Sequence, residues 1–222
     1  MTFFKADKLA IHFGGVKAVD GVDFEISKGE IFNDEDITNT APHLIAGRGI
    51  ARTFQNIELF EQATVLQNLL IGRHAHRSGS LLANIFFLPS TRRAELAHRE
   101  EVEKVIEFLD LARYRGQRIA NLPYGVRKVV ELGRALCTEP KLLLLDEPSS
   151  GLNVEETSDM AFWIKDIRDL LGITVLMVEH DMSLVNRVSD RVLALNYGRV
   201  LTLGSPSEVQ SNEEVIRAYL GG

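Results

Sequence analysis

Hydrophobic and polar positions follow two rhythms along this chain. Leu142–Leu145 are four leucines in a row, which cannot alternate between a wet and a dry face. Such a run predicts a strand buried on both sides of a parallel sheet. It breaks at once into Asp146, Glu147 and Pro148. Ile173–Val178 repeats the design and ends in Glu179-His180-Asp181. Phe3–Phe13 and Val19–Ser27 predict a strand pair around a Gly14-Gly15 turn, and Ile50–Phe54 a strand ending at Gln55. Arg191–Asn196 and Val200–Leu203 flank the turn Asn196-Tyr197-Gly198-Arg199 as a hairpin.

Between these strands the spacing turns helical. Pro42–Gly47 predicts a short helix starting at Thr40 or Ala41, with Gly47 at its close. Thr64 and Gln67 have capping-box spacing and open a helix through about Ile71. Thr91 is placed to cap a long helix to about Leu109, with Leu96, Val102, Val105, Ile106 and Leu109 on its apolar face. Further helices are expected over Val126–Cys137, from Asn153 to Leu171 with Gly172 as the stop, after Ser205, and over Glu213–Leu220. Arg73–Ser80 is basic and polar, and His74 and His76 are two apart, which suits a solvated loop better than a helical metal pair. Residues 68–115 thus read as all-helical inside a chain that otherwise alternates strand and helix. The expected organisation is an α/β core from residues 1–67 and 116–222 carrying a helical subdomain, 68–115. The patch Ile85-Phe86-Phe87-Leu88 is either buried between those helices or offered to a partner, with burial the default.

Composition narrows the field. With 222 residues, 45% of them apolar and 25% charged, the chain can bury a sizeable core in one large domain or in a domain with a small lobe. A net charge of -6 argues against a nucleic-acid partner held on a broad basic surface. Cys137 is the only cysteine, so no internal disulfide forms; a reducing compartment and a small buried side chain are expected. Charges at Lys5, Asp7 and Lys8 interrupt the first apolar residues, so no secretion signal is expected there. A cytoplasmic protein that meets the membrane only through a partner is the expectation.

Asp146 falls at the carboxyl end of a buried strand, where open α/β sheets bind ligands. Two adjacent acids at a dry rim repel each other, and a hard divalent cation carrying phosphates is the obvious group to offset this. The other reading is a strand end with two ordinary solvated acids. Phe13 is placed either to stack on a base or to pack in the core.

Taken in order, Gln55, Leu122–Val126, Asp146-Glu147, Ser150–Asn153 and His180 resemble the Q-loop, signature loop, Walker B strand, D-loop and switch histidine of ABC-transporter ATP-binding subunits. The resemblance covers essentially the whole chain. Phe13-Gly14-Gly15, Gly49–Asn56, Tyr124-Gly125, Glu179–Met182 and the ending Gly204–Gly222 resemble the branched-chain amino-acid importer subfamily, and related urea importers share much of the pattern. The resemblance implies an ABC-type α/β nucleotide-binding fold, with a mostly parallel sheet, antiparallel N-terminal strands and an inserted helical lobe. It implies ATP and Mg²⁺ as cofactors, with Asp146 and Gln55 on the metal side. Glu147 would polarise the attacking water, His180 would hydrogen-bond the γ-phosphate, and Gln55 would sense metal and water. Phe13, Tyr124, Gly125, Val126, Ser150 and Asn153 would contact nucleotide, some across a dimer of two ATP-binding subunits. Permease subunits, and indirectly a solute-binding protein, are the other partners implied. An ABC-type ATPase of DNA repair would need a long coiled-coil insertion and a basic surface, which this sequence lacks.

The sequence departs from the family in three places. It contains no G-x-x-x-x-G-K-[ST], the loop whose backbone amides and lysine hold the β- and γ-phosphates. The family places that loop just after the equivalent of Gly29-Glu30-Ile31, but here Phe32-Asn33-Asp34 follow, about thirty residues too soon, the size of a βαβ unit. A chain so shortened loses a central strand and is expected to fold badly, so the segment is expected in the working polypeptide. Leu122-Pro123-Tyr124-Gly125-Val126 stands where the family has Leu-Ser-Gly-Gly-Gln, losing polar side chains that reach the γ-phosphate. Asn153 replaces the D-loop's usual aspartate.

Overall fold

The computed structural model describes residues 2–13, 16–27, 40–53, 55–76 and 89–219. The Gly14-Gly15 turn, the Ile31–Phe32 junction, Phe54 and the Leu81–Leu88 patch lie outside these, and of Phe13 only the backbone is described. The chain divides into two compact units, Met1–Asp36 with Asp181–Gly222, and Ile37–His180.

The first unit pairs β1 (Thr2–Phe13) with β2 (Val16–Ser27) antiparallel, with several register shifts. Helix α6 (Met182–Val188) is capped by Asp181, and β6 (Val192–Asn196) forms a hairpin with β7 (Arg199–Gly204). The Asp20 N–H donates to the Gly198 carbonyl at 2.9 Å, tying β2 to the hairpin turn. Ser205 and Glu208 form the expected capping box on α7 (Pro206–Ser211), and α8 (Glu213–Tyr219) follows.

The second unit is built on a three-stranded parallel sheet in the order β3 (Ile50–Arg52), β4 (Leu142–Asp146), β5 (Thr174–Val178). Leu143 lies opposite Ala51 on one side and Val175 on the other, and Asp146 lies opposite Val178. Leu142, Leu143 and Leu145 are fully buried, as an unbroken apolar run demands, whereas Leu144 is only half-buried. Strand β5 is only half-buried despite its sequence, and among the described residues it pairs with β4 alone.

Of the helices in this unit, α4 (Tyr124–Leu136) touches β3, α5 (Val154–Asp169) touches β5, and α2 (Val65–Gly72) packs on α4. The short α1 (Pro42–Ile45) runs into a 3-10 turn over Ala46–Arg48 and closes at Gly49, two residues later than the sequence suggested. Thr64 makes the complete capping box at the start of α2 (Val65–Gly72). The long α3 (Pro89–Phe108) buries Val102 and Ile106, with Leu109 just beyond its end, whereas Leu96 is 52% exposed. The expected apolar face therefore holds only over the second half of the helix. Helices α4 (Tyr124–Leu136) and α5 (Val154–Asp169) flank β4 in sequence, and α5 begins at an Asn153–Glu156 capping box. Arg73 is also a correction. It lies in a 3-10 turn after α2 and is buried, donating to the Cys137 carbonyl at 3.2 Å and pairing with Glu139 at 2.6 Å. Among the described residues no helix is long and apolar enough to cross a membrane.

Candidate functional site

Parallel register brings three chain segments to one edge of the sheet. Arg52 pairs with Leu144 and Asp146 with Val178, so the residues after β3, β4 and β5 all leave the sheet at its carboxyl edge. Open α/β sheets bind ligands at that edge. Gln55, Asp146-Glu147 and Glu179-His180 are the side chains placed there.

Glu147 is the centre of the arrangement. Its N–H donates to the Val178 carbonyl at 2.9 Å, and the Gln55 amide nitrogen donates to its carboxylate at 2.8 Å. His180 Nδ1 lies 3.7 Å from the other carboxylate oxygen and 3.5 Å from Glu179. The Glu179 side chain is only 1% exposed. It accepts from the Ser149 N–H at 3.0 Å, from the Ser149 hydroxyl and from the His180 N–H at 2.8 Å. Glu179 thus joins the turn after β4 to the end of β5, while Glu147 and His180 stay more accessible.

Repulsion between the adjacent acids is offset from within the protein. Arg52 Nη2 lies 3.0 Å from Asp146 Oδ2. Beneath the turn, Lys128 of α4 is 4% exposed, and its Nζ donates to the Gln55 carbonyl at 3.0 Å and sits 3.5 Å from the Glu147 carbonyl. Burial holds its pKa below the ordinary lysine value, and Glu131, Glu179, Glu147 and Asp146 pull the other way. The sequence reading missed both cations. Arg52 was visible as the polar end of β3, but Lys128 carried no signal beyond one charge in an amphipathic helix.

A second grouping surrounds the start of α4. Tyr124, Gly125 and Val126 form its first turn, packed against the loop that leads into α5. Gly151 has φ of +79°, and a Cβ there would stand 2.7 Å from the Tyr124 ring. A Cβ on Gly125 would collide with the Glu156 carboxylate. Ser150 donates its N–H to the Glu147 carbonyl at 3.1 Å, linking this loop to the first grouping. Asn153 is the N-cap of α5: its side chain accepts from the Glu156 N–H at 3.0 Å. Phe13 belongs to the other compact unit, at the end of β1.

Among the described residues, no three His, Cys, Asp or Glu side chains are arranged to hold an ion by themselves. Mg²⁺ commonly takes one or two carboxylates and completes its shell with phosphate oxygens and water. Asp146 is a fitting donor. The phosphate side is less complete, because the sequence has no lysine-and-amide loop of the Walker A kind.

The ABC transporter family pattern matches residues 21–150, and that of the branched-chain amino acid ATP-binding cassette transporters matches residues 199–222. The high-affinity branched-chain amino acid transport ATP-binding protein BraF of Pseudomonas aeruginosa is 34% identical, over 96% of this chain and 95% of that protein. LivG of Escherichia coli, bearing the same description, is 32% identical over the same shares. The probable LivG of Methanocaldococcus jannaschii is 29% identical across all of this chain and 98% of its own length. Its alignment runs to 255 positions against 222 residues here, so 33 of its positions face gaps in this chain. Two solved ATP-binding cassettes of ABC transporters, one nucleotide-free and one in an ADP conformation, superpose with TM-scores of 0.80 and 0.82. Each is 27% identical, and each match covers 100% of both chains. Three motifs meet at the sheet edge, two more gather around the start of α4, and the family pattern and the relatives span the same chain: the chain belongs to the ATP-binding subunits of the ABC transporter family.

Proposed function

We propose that this chain is the ATP-hydrolysing subunit that energises import of branched-chain amino acids across the cytoplasmic membrane. The observation that carries the reading is the hydrogen-bonded pair Gln55–Glu147 at the carboxyl edge, with His180 beside it and Asp146 next in sequence. Phosphoryl transfer to water asks for positioning and charge neutralisation more than covalent chemistry. Glu147 would accept the proton of the attacking water, with the Gln55 amide fixing its carboxylate. His180 would donate to the terminal phosphate, its backbone anchored by Glu179. Asp146 would hold Mg²⁺ with Gln55 nearby, and Arg52 would have to yield or share that carboxylate. The metal, when bound, neutralises charge developing on the phosphate oxygens.

Residues 68–115 serve in this reading as the helical subdomain beside an α/β core. By resemblance to the family, Phe13 would serve the base, and Tyr124, Gly125, Val126, Ser150 and Asn153 would face the nucleotide of a second ATP-binding subunit. The working assembly contains two such subunits on membrane permeases, with a solute-binding protein beyond them, so the chain sits at the cytoplasmic face of the membrane. The subunit names of BraF and LivG and the match at residues 199–222 support the substrate class. A urea-type importer is the neighbouring alternative.

Phosphate release from ATP and Mg²⁺ tests the reading. Glu147→Gln is expected to lower turnover by about a hundredfold or more while leaving nucleotide affinity near the parent value. Unchanged turnover would overturn it.

The absent phosphate loop favours a second reading: a subunit blind to nucleotide that lends its signature loop to an intact partner. Submillimolar ATP binding by the purified chain alone would eliminate that reading.

A further inference from the structure

Helix α4 begins at the signature loop and grips the segment after β3 with three charged side chains. Lys128 Nζ donates to the Gln55 carbonyl, Glu131 accepts from the Glu58 N–H at 3.4 Å, and the Arg134 guanidinium reaches the Glu58 carbonyl. Lys128 and Glu131 are both buried, and both belong to a helix whose remaining buried face is mainly apolar. A buried ammonium without structural duty would be replaced by an apolar side chain at little cost.

The second partner of Lys128 is the carbonyl of a strained residue. Glu147 has φ of +45°, in the left-handed region that residues with a Cβ avoid. Such a conformation persists only where its surroundings over-determine it. The Glu147 N–H is held by the Val178 carbonyl, and its own carbonyl is met by the Ser150 N–H and approached by Lys128. The carboxylate of the same residue takes the Gln55 amide.

We propose that Lys128 is a positioning residue: its single ammonium ties the backbone of Gln55 to that of Glu147 and so fixes the side-chain pair that meets at the sheet edge. The device also makes α4 a strut between the signature loop and both groups. The inference takes its functional meaning from the ATPase reading, but its geometry and its test stand without nucleotide.

Amide hydrogen exchange on the full chain provides the test. In Lys128→Met, exchange at Glu147, Ser149, Ser150 and Glu58 is expected to speed by about tenfold or more, with Leu142–Leu145 within about twofold of the parent. Lys128→Arg keeps a cation and N–H donors at the site, though in another shape, and is expected to loosen these amides less than Lys128→Met does. Unchanged exchange at the four amides, uniform acceleration across the unit, or an arginine variant as loose as the methionine one would each overturn the proposal. Should the methionine variant fail to fold, Lys128→Gln is read by the same outcomes. Loss of turnover on Glu147 substitution concerns the ATPase reading alone; loss of the exchange pattern concerns Lys128 alone.

Discussion

A single buried thiol gives the stability of the folded chain a dependence on pH. Cys137 follows α4 directly, and burial pushes its thiol up to about 12, only partly relieved by the Arg73 guanidinium. In the unfolded chain that thiol ionises near its ordinary value of about 8.5. Between these values the unfolded chain binds fewer protons than the folded one, so the contribution of this group to stability falls as pH rises. The stability gap between the parent and Cys137→Ala is therefore expected to narrow from about pH 9 to about pH 12, read by urea unfolding at each pH. Iodoacetamide at pH 8 should alkylate the folded thiol at least about a hundredfold more slowly than the unfolded one. At this scale the sequence was legible wherever a polar residue ends an apolar run. Asp146, Glu147 and His180 announce themselves in that way, and Gln55 does so after Ile50–Phe54. Lys128 does not, because helical periodicity assigns a lone lysine to solvent, and only the turn lying over it shows why it is buried.

Elements meet through close backbone approaches that spacing alone cannot show. Gly72, the last residue of α2, lies against the end of α4. A Cβ there would collide with the Arg134 carbonyl and stand 2.8 Å from the Cys137 Cβ. Gly72→Ala is expected to lower stability by about 1–3 kcal/mol, the usual cost of overpacking, as measured by urea denaturation. The capping boxes at Thr64, Asn153 and Ser205 were readable because each needs only two residues three apart. The burial of Arg73 was not readable, since its partners Cys137 and Glu139 lie far along the chain. The apolar stripe of α3 was overread at Leu96 for a related reason: periodicity marks a face but not how far along it the neighbours extend.

At the scale of the whole molecule, family and fold were legible because five short motifs recur in a fixed order. The division at His180 was not, because nothing in the local pattern marks it. The sequence lacks the phosphate loop of the family pattern. Inserting a strand–loop–helix segment that carries G-x-x-x-x-G-K-[ST] between Ile31 and Phe32 is expected to raise ATP affinity by about a hundredfold or more, followed by calorimetry; no change would mean that the three-stranded edge does not receive phosphate. The exposure at the end of β5 has a colloidal consequence. Thr174–Val178 is a greasy strand that pairs with β4 alone among the described residues, and Val178 is 63% exposed. An apolar side chain left so far in solvent at the end of a strand favours association with other molecules. Concentrated stocks of the chain should therefore thicken into β-rich oligomers on standing, and a lysine at Val178 should keep them clear.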